Sequence, residues 1–440
     1  MVCNILWLRQ DFRTKDNPAL KAVAEQNLPF LIIYIDELDN KMIYRGNRWK
    51  WFAAHSLSSL NNSLYQSITI LQGSPLEIFQ TLYTKYNVKE IHSNFITGPV
   101  VQYDHQLKNQ LSNLGMTYII HENSLCKYDG WNKKGNPYTN LSLFVKYLCN
   151  KETIHLPLLS QPHILKEQII KAEIAPYNIK QIHYLEEDAI LNSYYIAGEQ
   201  LVNIYCDFFL KKISNYEDDR NKPALDNTSH LSHFLSNGTI AATRVYHNFI
   251  NAKCSEGFIR QLLFREYYHY LHYHFPTMHQ ESIHKRLPLI SEKEDDLFIL
   301  WSQGKTGYPF VDAAMRQLNQ TGYLNNRMRL IVASFLIKNL HISWQKGAQW
   351  FLDHLIDADF SNNSAAWQWS ADTGYSRPIP RILNPEVQMY QWDPYLEYTK
   401  LWLQDELVIK NYKVISYIHK PIVHFEETKN QYIENIKKEK

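Results

Sequence analysis

Apolar residues in the first 122 positions fall into short β-rich runs separated by longer stretches with helical spacing. The runs are Ile5–Leu8, Phe30–Ile35, Ile68–Leu71, Val88–His92 and Tyr118–His121, and the helical stretches include Arg48–Tyr65, Leu76–Tyr86 and Val100–Leu114. This alternation predicts a parallel sheet with helices on both faces. No GxGxxG follows any of the strands, so the usual dinucleotide fingerprint is absent. From about 123 to 193 the pattern weakens, and Asp129-Gly130 and Gly135-Asn136-Pro137 form turns. This part reads as a long connector over the surface. Beyond about 194 strands nearly vanish and helical periodicity dominates, as in Leu262–Tyr273, Tyr308–Leu318 and Met328–Trp344. The expected fold is α/β plus all-α: a doubly wound parallel sheet over 1–122, a connector over 123–193 and a helical domain over 194–440. The charged end, Glu434 to Lys440, is expected to fray.

Composition changes this picture in a few places. Of the 440 residues 14% are aromatic, including 30 Tyr and 11 Trp, enough for a subset to line a cofactor or stack on bases while the rest fill cores. Net charge is only +2, so nucleic-acid binding would need a local basic face. The five cysteines are scattered without a CxxC, which indicates neither a disulfide framework nor a zinc site. The start lacks a signal-peptide core and no apolar run approaches a membrane span, so a cytoplasmic protein without a membrane partner is expected.

Candidate chemistry concentrates in the stretch Asp357-Ala-Asp-Phe-Ser-Asn-Asn-Ser-Ala-Ala-Trp-Gln-Trp369, with two carboxylates, paired amides and two tryptophans. Carboxylates and amides anchor a polar heterocycle, and tryptophan is the side chain most easily oxidised by an excited neighbour. Trp344 lies 23 residues before Trp367. Thr228, Ser229 and Ser232 form a hydroxyl cluster at an expected helix start, which suits either a simple cap or a phosphate. Gln261, Phe264, Arg265 and Tyr268 recur at i, i+3, i+4 and i+7 and share one helix face, whereas Leu262 and Leu263 fit a core-facing stripe. Gly304-Lys-Thr306 imitates the end of a phosphate-binding loop, but Ile299 stands where that motif needs glycine. His269, His272, His274 and His279 lack an acidic partner at ligand spacing, so no metal is expected.

Seven segments in order resemble the photolyase/cryptochrome family. They are Trp7-Leu-Arg-Gln-Asp-Phe-Arg-Thr-Lys-Asp-Asn-Pro-Ala-Leu20, Tyr216-Glu-Asp-Asp-Arg220 with Asn227-Thr-Ser-His-Leu-Ser232, Gln261-Leu-Leu-Phe-Arg-Glu-Tyr-Tyr268, the Gly304–Leu318 stretch, Asn326-Arg-Met-Arg329, Asp357–Trp369 and Arg381-Ile-Leu-Asn-Pro385. The chain looks most like a class I cyclobutane pyrimidine dimer photolyase. The resemblance implies FAD in the helical domain and UV-damaged DNA as partner of a monomer. It places Tyr216, Thr228, Ser229, His230, Leu231 and Ser232 at the pyrophosphate, and Arg329 paired with Asp357 near the isoalloxazine, next to Ala358. It puts Asp359 on the ribityl or adenine side, Asn363 opposite flavin N5, and Arg265 and Asn326 within reach of the cofactor. For the lesion and its strand it implies Arg220, Gln261, Phe264, Tyr268, Asn326, Arg327, Trp369 and Gln388. Photoreduction would start at Trp367 and continue through Trp344.

The chain also departs from the family. Cyclobutane-dimer enzymes usually carry Glu at Gln261, Trp at Phe264 and Trp-x-His-Asn at Tyr323-Leu-Asn-Asn326. Gln before Leu-Leu is more like 6-4 photolyases, yet the adjacent histidines those enzymes use are missing near Asn325-Asn326. Asn363 favours a photolyase over plant and animal cryptochromes. Light-driven repair of cyclobutane dimers is therefore the expected activity, with a blue-light sensor or a 6-4 photolyase as alternatives. The expected antenna site, Asn94-Phe-Ile-Thr-Gly-Pro99, has apolar residues and glycine in place of arginine and glutamate, so a folate should bind weakly or not at all and a deazaflavin stays open. The family's third relay tryptophan has no counterpart in Leu289–Asp295, and Trp301, Trp350 or a tyrosine are the candidates for the exit.

Overall fold

A computed structural model of the protein describes residues 2–37, 45–150, 158–173, 188–284, 293–375 and 380–438. Parts of the expected connector (151–157 and 174–187) and residues 289–292 of the expected relay segment lie outside the described residues. The chain forms two compact units. One comprises Met1–Ile213 with Ser229–Pro276, and the other Ser214–Thr228 with Thr277–Lys440.

In the first unit, β1 (Cys3–Leu8), α1 (Pro18–Glu25), β2 (Phe30–Asp36), α2 (Asn47–Ser63), β3 (Ile68–Gln72), α3 (Pro75–Tyr86), β4 (Val88–Asn94), α4 (Val100–Asn113) and β5 (Thr117–His121) alternate as expected. The parallel strands lie in the order β3-β2-β1-β4-β5. Succession runs outward from β1 in one direction and then, from β4, in the other. Right-handed crossovers therefore place helices on both faces. Every residue of β1 is buried, because a central strand has no solvent face. Its Trp7 packs edge-on to Phe79 with centroids 5.2 Å apart. Asn17 caps α1 by accepting from the Leu20 amide at 3.0 Å, and Pro18 supplies the preset first turn.

The stretch read as connector contributes structure of its own. α5 (Leu141–Asn150) is a helix, and β6 (Ile169–Ile170) pairs in parallel with Phe30 and Leu31 of β2, just before β3 takes over that edge at Ile32. Then follow α6 (Asp188–Tyr194) and α7 (Glu199–Leu210). After the short α8 (Tyr216–Asp219), which belongs to the other unit, the chain returns as α9 (Ser232–Ser236), α10 (Ala242–Phe249) and α11 (Glu256–His274). The turn after α9 needs glycine. Gly238 has φ +72, and a Cβ there would sit 1.8 Å from the Gln10 carbonyl oxygen. The Gly238 carbonyl in turn accepts from Arg13 at 2.8 Å.

The second unit is mainly helical: α12 (Glu294–Ser302), α13 (Pro309–Thr321), α14 (Asn326–Lys338), α15 (Trp344–His354), α16 (Phe360–Ser370), α17 (Pro385–Trp392), α18 (Glu397–Leu403) and α19 (Phe425–Lys438). Between α18 and α19 lies an antiparallel hairpin, β7 (Leu407–Lys410) and β8 (Lys413–Tyr417). The Gly304-Lys-Thr306 segment is a structural loop. Buried Asp312 accepts from the Thr306 amide and hydroxyl (2.7 and 2.6 Å), the Gly307 amide (2.9 Å) and the Tyr417 hydroxyl (3.0 Å).

Two expectations are corrected in this unit. The helix read over Met328–Trp344 ends at Lys338 and a new one opens at Trp344, because His341 adopts φ 55, which a helix cannot accommodate. The end read as frayed is helical to Lys438. Tyr432 and Ile436, four residues apart and buried, hold α19, and the Tyr432 hydroxyl lies 3.3 Å from Asp372. Asp372 also pairs at 2.8 Å with Lys338, whose side chain is equally buried.

At the ends of β4 and β5, His92 lies between the Glu90 carboxylate (3.0 Å) and His121 (2.9 Å). Burial lowers the pKa of both rings, that of His121 to about 4 from 6.5. A lowered folded-state pKa means that the unfolded chain takes up these protons first as pH falls. Stability from the pair is therefore complete above about pH 6.5 and is lost progressively toward pH 4. The urea midpoint should fall between pH 7 and pH 5, and it should fall less in His121→Phe. An equal drop in that variant would assign the acid sensitivity to other groups.

Candidate functional site

In the second unit the candidate residues gather around α14, α15 and α16. Asp359 caps α16 by accepting from the Asn362 amide at 2.8 Å. That fixes the first turn, and the helix is buried on several faces at once, as a central helix is. Asn363 is only 9% exposed and donates through Nδ2 to the Ala348 carbonyl at 2.8 Å, and its Oδ1 has no partner among the described residues. Trp367 is buried against Phe351, centroids 5.0 Å apart, and against Trp301 at 6.4 Å. Trp344 opens α15 and donates to Ser282 at 2.9 Å. Gln368, between the two tryptophans, donates to the Met278 and Glu281 carbonyls (2.6 and 2.9 Å) and accepts from the Ile283 amide (2.9 Å). Trp369 is half-buried.

The expected ion pair is present. Arg329 reaches both Asp357 oxygens at 3.0 and 2.8 Å and donates to the Leu324 carbonyl at 2.7 Å. Ala358 is fully buried beside it in sequence. Arg329 also stands over the Tyr323 ring at 5.9 Å, and the Tyr323 hydroxyl is 3.3 Å from that of Thr228. Tyr216 is buried, and that burial pushes its phenol up to about 12, so it stays neutral.

A basic patch lies on the same unit. Arg327 donates to Asn221 at 3.2 Å and stacks over Trp392, 4.6 Å from the ring centroid. Gln388 accepts from the Trp392 indole at 3.1 Å. Burial, then the neighbouring charges of Arg381 and Arg220, lower the Arg327 pKa. Arg327 thus feels two like charges, a repulsion that a phosphate would relieve. Arg220 also pairs with Glu217 at 2.9 Å, and its carbonyl accepts from Asn325, the residue that caps α14 just before Asn326.

In the first unit, α11 presents Gln261, Phe264, Arg265 and Tyr268 as a half-buried stripe, while Leu262, Leu263, Glu266 and Tyr267 are buried. Glu266 anchors the helix from behind. It accepts from the Leu125 amide (3.1 Å) and the Tyr128 hydroxyl (2.8 Å) and pairs with Arg265 (2.5 Å). The histidines weighed as ligands are engaged otherwise: His269 lies 3.0 Å from the Thr97 hydroxyl and His274 lies 2.7 Å from the Tyr128 carbonyl. In the second unit His279 packs edge-on to Phe360. Ser229 accepts from the Leu231 amide at 3.3 Å, and His230 has φ 50. The expected helix start is present, but without the hydroxyl cap. α9 begins at Ser232 without a side-chain cap and runs only five residues, too short for a strong dipole. A cleft of about 460 Å³ beside the expected antenna segment is lined by Phe95, Lys108, Glu122, Tyr128 and Tyr273, among others.

Comparison with known proteins identifies the assembly. Residues 4–162 match the DNA photolyase family model, and residues 258–439 match the FAD binding domain of DNA photolyase. The deoxyribodipyrimidine photo-lyase of Agrobacterium fabrum is 31% identical over 437 residues, which is 95% of this chain and 89% of that one. This chain belongs to the photolyase/cryptochrome family. Cryptochrome-2 of Arabidopsis thaliana is 30% identical over 439 residues, covering 91% of this chain and 70% of the cryptochrome. The crystal structure of a bacterial class III photolyase from Agrobacterium tumefaciens superimposes with a TM-score of 0.90 at 27% identity, covering 99% and 97% of the two chains.

Within this photolyase-like frame, sequence reading passed over Tyr323, Gln368, Arg381 and Trp392 as contact residues. No period links Arg327 to Trp392, 65 positions later; only the amide-and-aromatic content of Gln388–Trp392 hinted at it. The packing also assigns a role to a residue with no side chain. A Cβ on Gly347 would lie 2.2 Å from the Trp367 ring and 2.5 Å from Leu336. Gly347→Ala should therefore displace Trp367 and cost about 1–3 kcal/mol. A lowered thermal midpoint together with altered Trp fluorescence checks this, and an unchanged midpoint would refute it.

Proposed function

We propose that this protein is a deoxyribodipyrimidine photolyase that uses light to split cyclobutane pyrimidine dimers in DNA. The observation that carries the reading is an Asn363 Oδ1 with no partner among the described residues, in the same unit as the Arg329–Asp357 pair and within a chain matched by both photolyase models. That donor set fits FAD: a lone amide acceptor suits a flavin ring nitrogen that gains a proton, and an internally paired guanidinium adds polarity without a free charge. When bound, FAD would supply light absorption and the electron that opens the cyclobutane ring.

The chain's own residues bind, orient and exclude water. Thr228, Ser229, His230, Leu231, Ser232 and Tyr216 would hold the pyrophosphate, and Arg265, Asn326, Ala358 and Asp359 would complete the cofactor contacts. Asn326, Gln261, Phe264, Tyr268 and Trp369 would receive the flipped dimer, whose extrusion costs less because the lesion is already unstacked. Arg220, Arg327 and Gln388 would hold the strand, with Arg327 neutralising phosphate. A monomer in the cytoplasm, with a weak antenna site or none, belongs to the same proposal.

Two observations favour repair over a sensor and over the 6-4 lesion. Arg327 lies within electrostatic reach of Arg220 and Arg381, and no histidine stands at Asn325-Asn326 to donate a proton. The test is to offer the chemically reduced holoprotein oligonucleotides with either lesion under blue light. Cyclobutane repair is expected. Repair of the 6-4 product alone would overturn the lesion assignment, and repair of neither would move the protein to the sensors.

Gln261→Glu combined with Phe264→Trp should tighten binding to thymine-dimer DNA several-fold. The carboxylate adds a charge-assisted bond and the indole adds stacking area. Weaker binding by the double variant would mean that the α11 stripe does not face the lesion.

A further inference from the structure

The tip of the β7–β8 hairpin breaks two local rules. Its loop is Asn411-Tyr412, and both residues are left-handed, with φ 50 and φ 57. In a two-residue loop of this kind glycine is strongly favoured at the second place, because a side chain there crowds the backbone. Tyrosine is a costly choice at that place, and its ring is 60% exposed, so no buried packing offsets the cost. The residues that close the loop, Lys410 and Lys413, stand directly opposite each other across the two strands. Like charges at facing positions destabilise a strand pair. Neither lysine forms an ion pair among the described residues, and no acidic residue occurs from Leu407 to His424.

The tip adjoins the basic patch of the same unit. The Tyr412 ring packs edge-on to Tyr395, centroids 5.3 Å apart, and Tyr395 is 62% exposed. Tyr395 follows Trp392 by three residues, in a turn closed by the Leu396 amide donating to the Asp393 carbonyl at 2.9 Å. The Val414 amide, next to Lys413, donates to the Tyr390 hydroxyl of α17 at 3.4 Å. That helix ends at Trp392, the ring beneath the Arg327 guanidinium. Arg327, Trp392, Tyr395 and Tyr412 thus follow one another, and the two lysines flank the last of them.

We propose that the hairpin tip is a second DNA contact, which grips the duplex beyond the lesion with Lys410 and Lys413 on phosphates and the Tyr395–Tyr412 pair against sugar and base faces. The inference rests on the photolyase reading above and adds to it an affinity that depends on the flanking DNA. Facing lysines cease to repel each other when a phosphate lies between them. An exposed phenol ring gains a stacking face and a hydroxyl to offer a phosphate oxygen. The partner thus offsets both local costs of the loop. Val408, Ile415 and Ile418 are exposed on the same hairpin and would suit a second copy of this chain, but tip-to-tip pairing would bring four lysines together with no carboxylate among them.

The test measures binding of FAD-loaded, full-length protein in the dark to two probes with a thymine dimer. One is a duplex reaching a helical turn past the lesion on each side, and the other a short single strand holding little more than the dimer. Tyr412→Gly should weaken binding to the long duplex about fivefold. Lys410→Gln with Lys413→Gln should lower the slope of log affinity against log salt by roughly two. Both variants should keep or raise the thermal midpoint, since each removes a local cost, and should bind the short strand as wild type does. Affinity lost alongside a falling midpoint and equally on both probes would make the tip merely structural and overturn the contact. Wild-type affinity and salt slope in both variants would overturn it as well. So would a concentration-dependent dimer that Tyr412→Gly abolishes, which would assign the tip to a second copy. If instead the wild-type protein holds dimer-containing DNA no tighter than intact DNA, the underlying photolyase reading fails.

Discussion

The packing of the second unit turns on the close approach of α15 to α16 at Gly347. With hydrogen in place of a methyl group, the Trp367 ring lies against the α15 backbone and also meets Leu336. Several contacts require that spacing: the Asn363 amide bonded to the Ala348 carbonyl, one residue after Gly347, and Phe351 against the Trp367 ring one turn later. Well-packed interiors do not absorb an added methylene gradually, so this separation acts as a fixed dimension of the unit. Asp359 at the head of α16 and Gln368 near its end complete the fixation by tying the helix to backbone groups in and beyond it.

The first unit solves a different problem. Its sheet needs a tight exit from β1, and the loop achieves it with buried polar groups. The Asp11 carboxylate accepts from the Arg9 amide (2.8 Å) and from Asn94 (2.5 Å), and Arg13 spans the Asp16 and Gly238 carbonyls. Burial of Asp11 raises its pKa, while these donors and the Arg13 charge oppose the rise. Such a network is costly unless it is complete. That explains why the segment from Trp7 to Leu20 reads so distinctly in the sequence.

The α/β alternation was legible because the central strands β1 and β2 are almost continuously buried runs and the helices between the strands carry a clear period. The stripe on α11 was legible for the same reason: its spacing separates half-buried from buried positions. What stayed hidden depends on contacts rather than on period. The break at 339–343 rests on one residue, His341, in a left-handed conformation that nothing in its side chain announces. The β7–β8 hairpin escaped because its strands are only four and five residues long and mostly exposed. The Arg327–Trp392 stack and the Trp367–Trp301–Phe298–Trp350 succession join distant positions, so the sequence offers the residues but not their adjacency. The photolyase motifs supplied roles for side chains whose placement only packing could give.

The Glu266 anchor has a thermodynamic consequence for recognition. By accepting from Leu125 and Tyr128 and pairing with its neighbour Arg265, it holds α11 in register from the buried side. On the proposed reading, the opposite side would meet a ligand with its backbone already ordered and one of its charges already partnered. Rotational freedom that a floppier helix would surrender on association has been given up during folding. Weak individual contacts from an amide and a phenyl ring would then register as affinity instead of being cancelled by ordering, so a helix with modest side chains at its surface would serve the proposed binding as a rigid template.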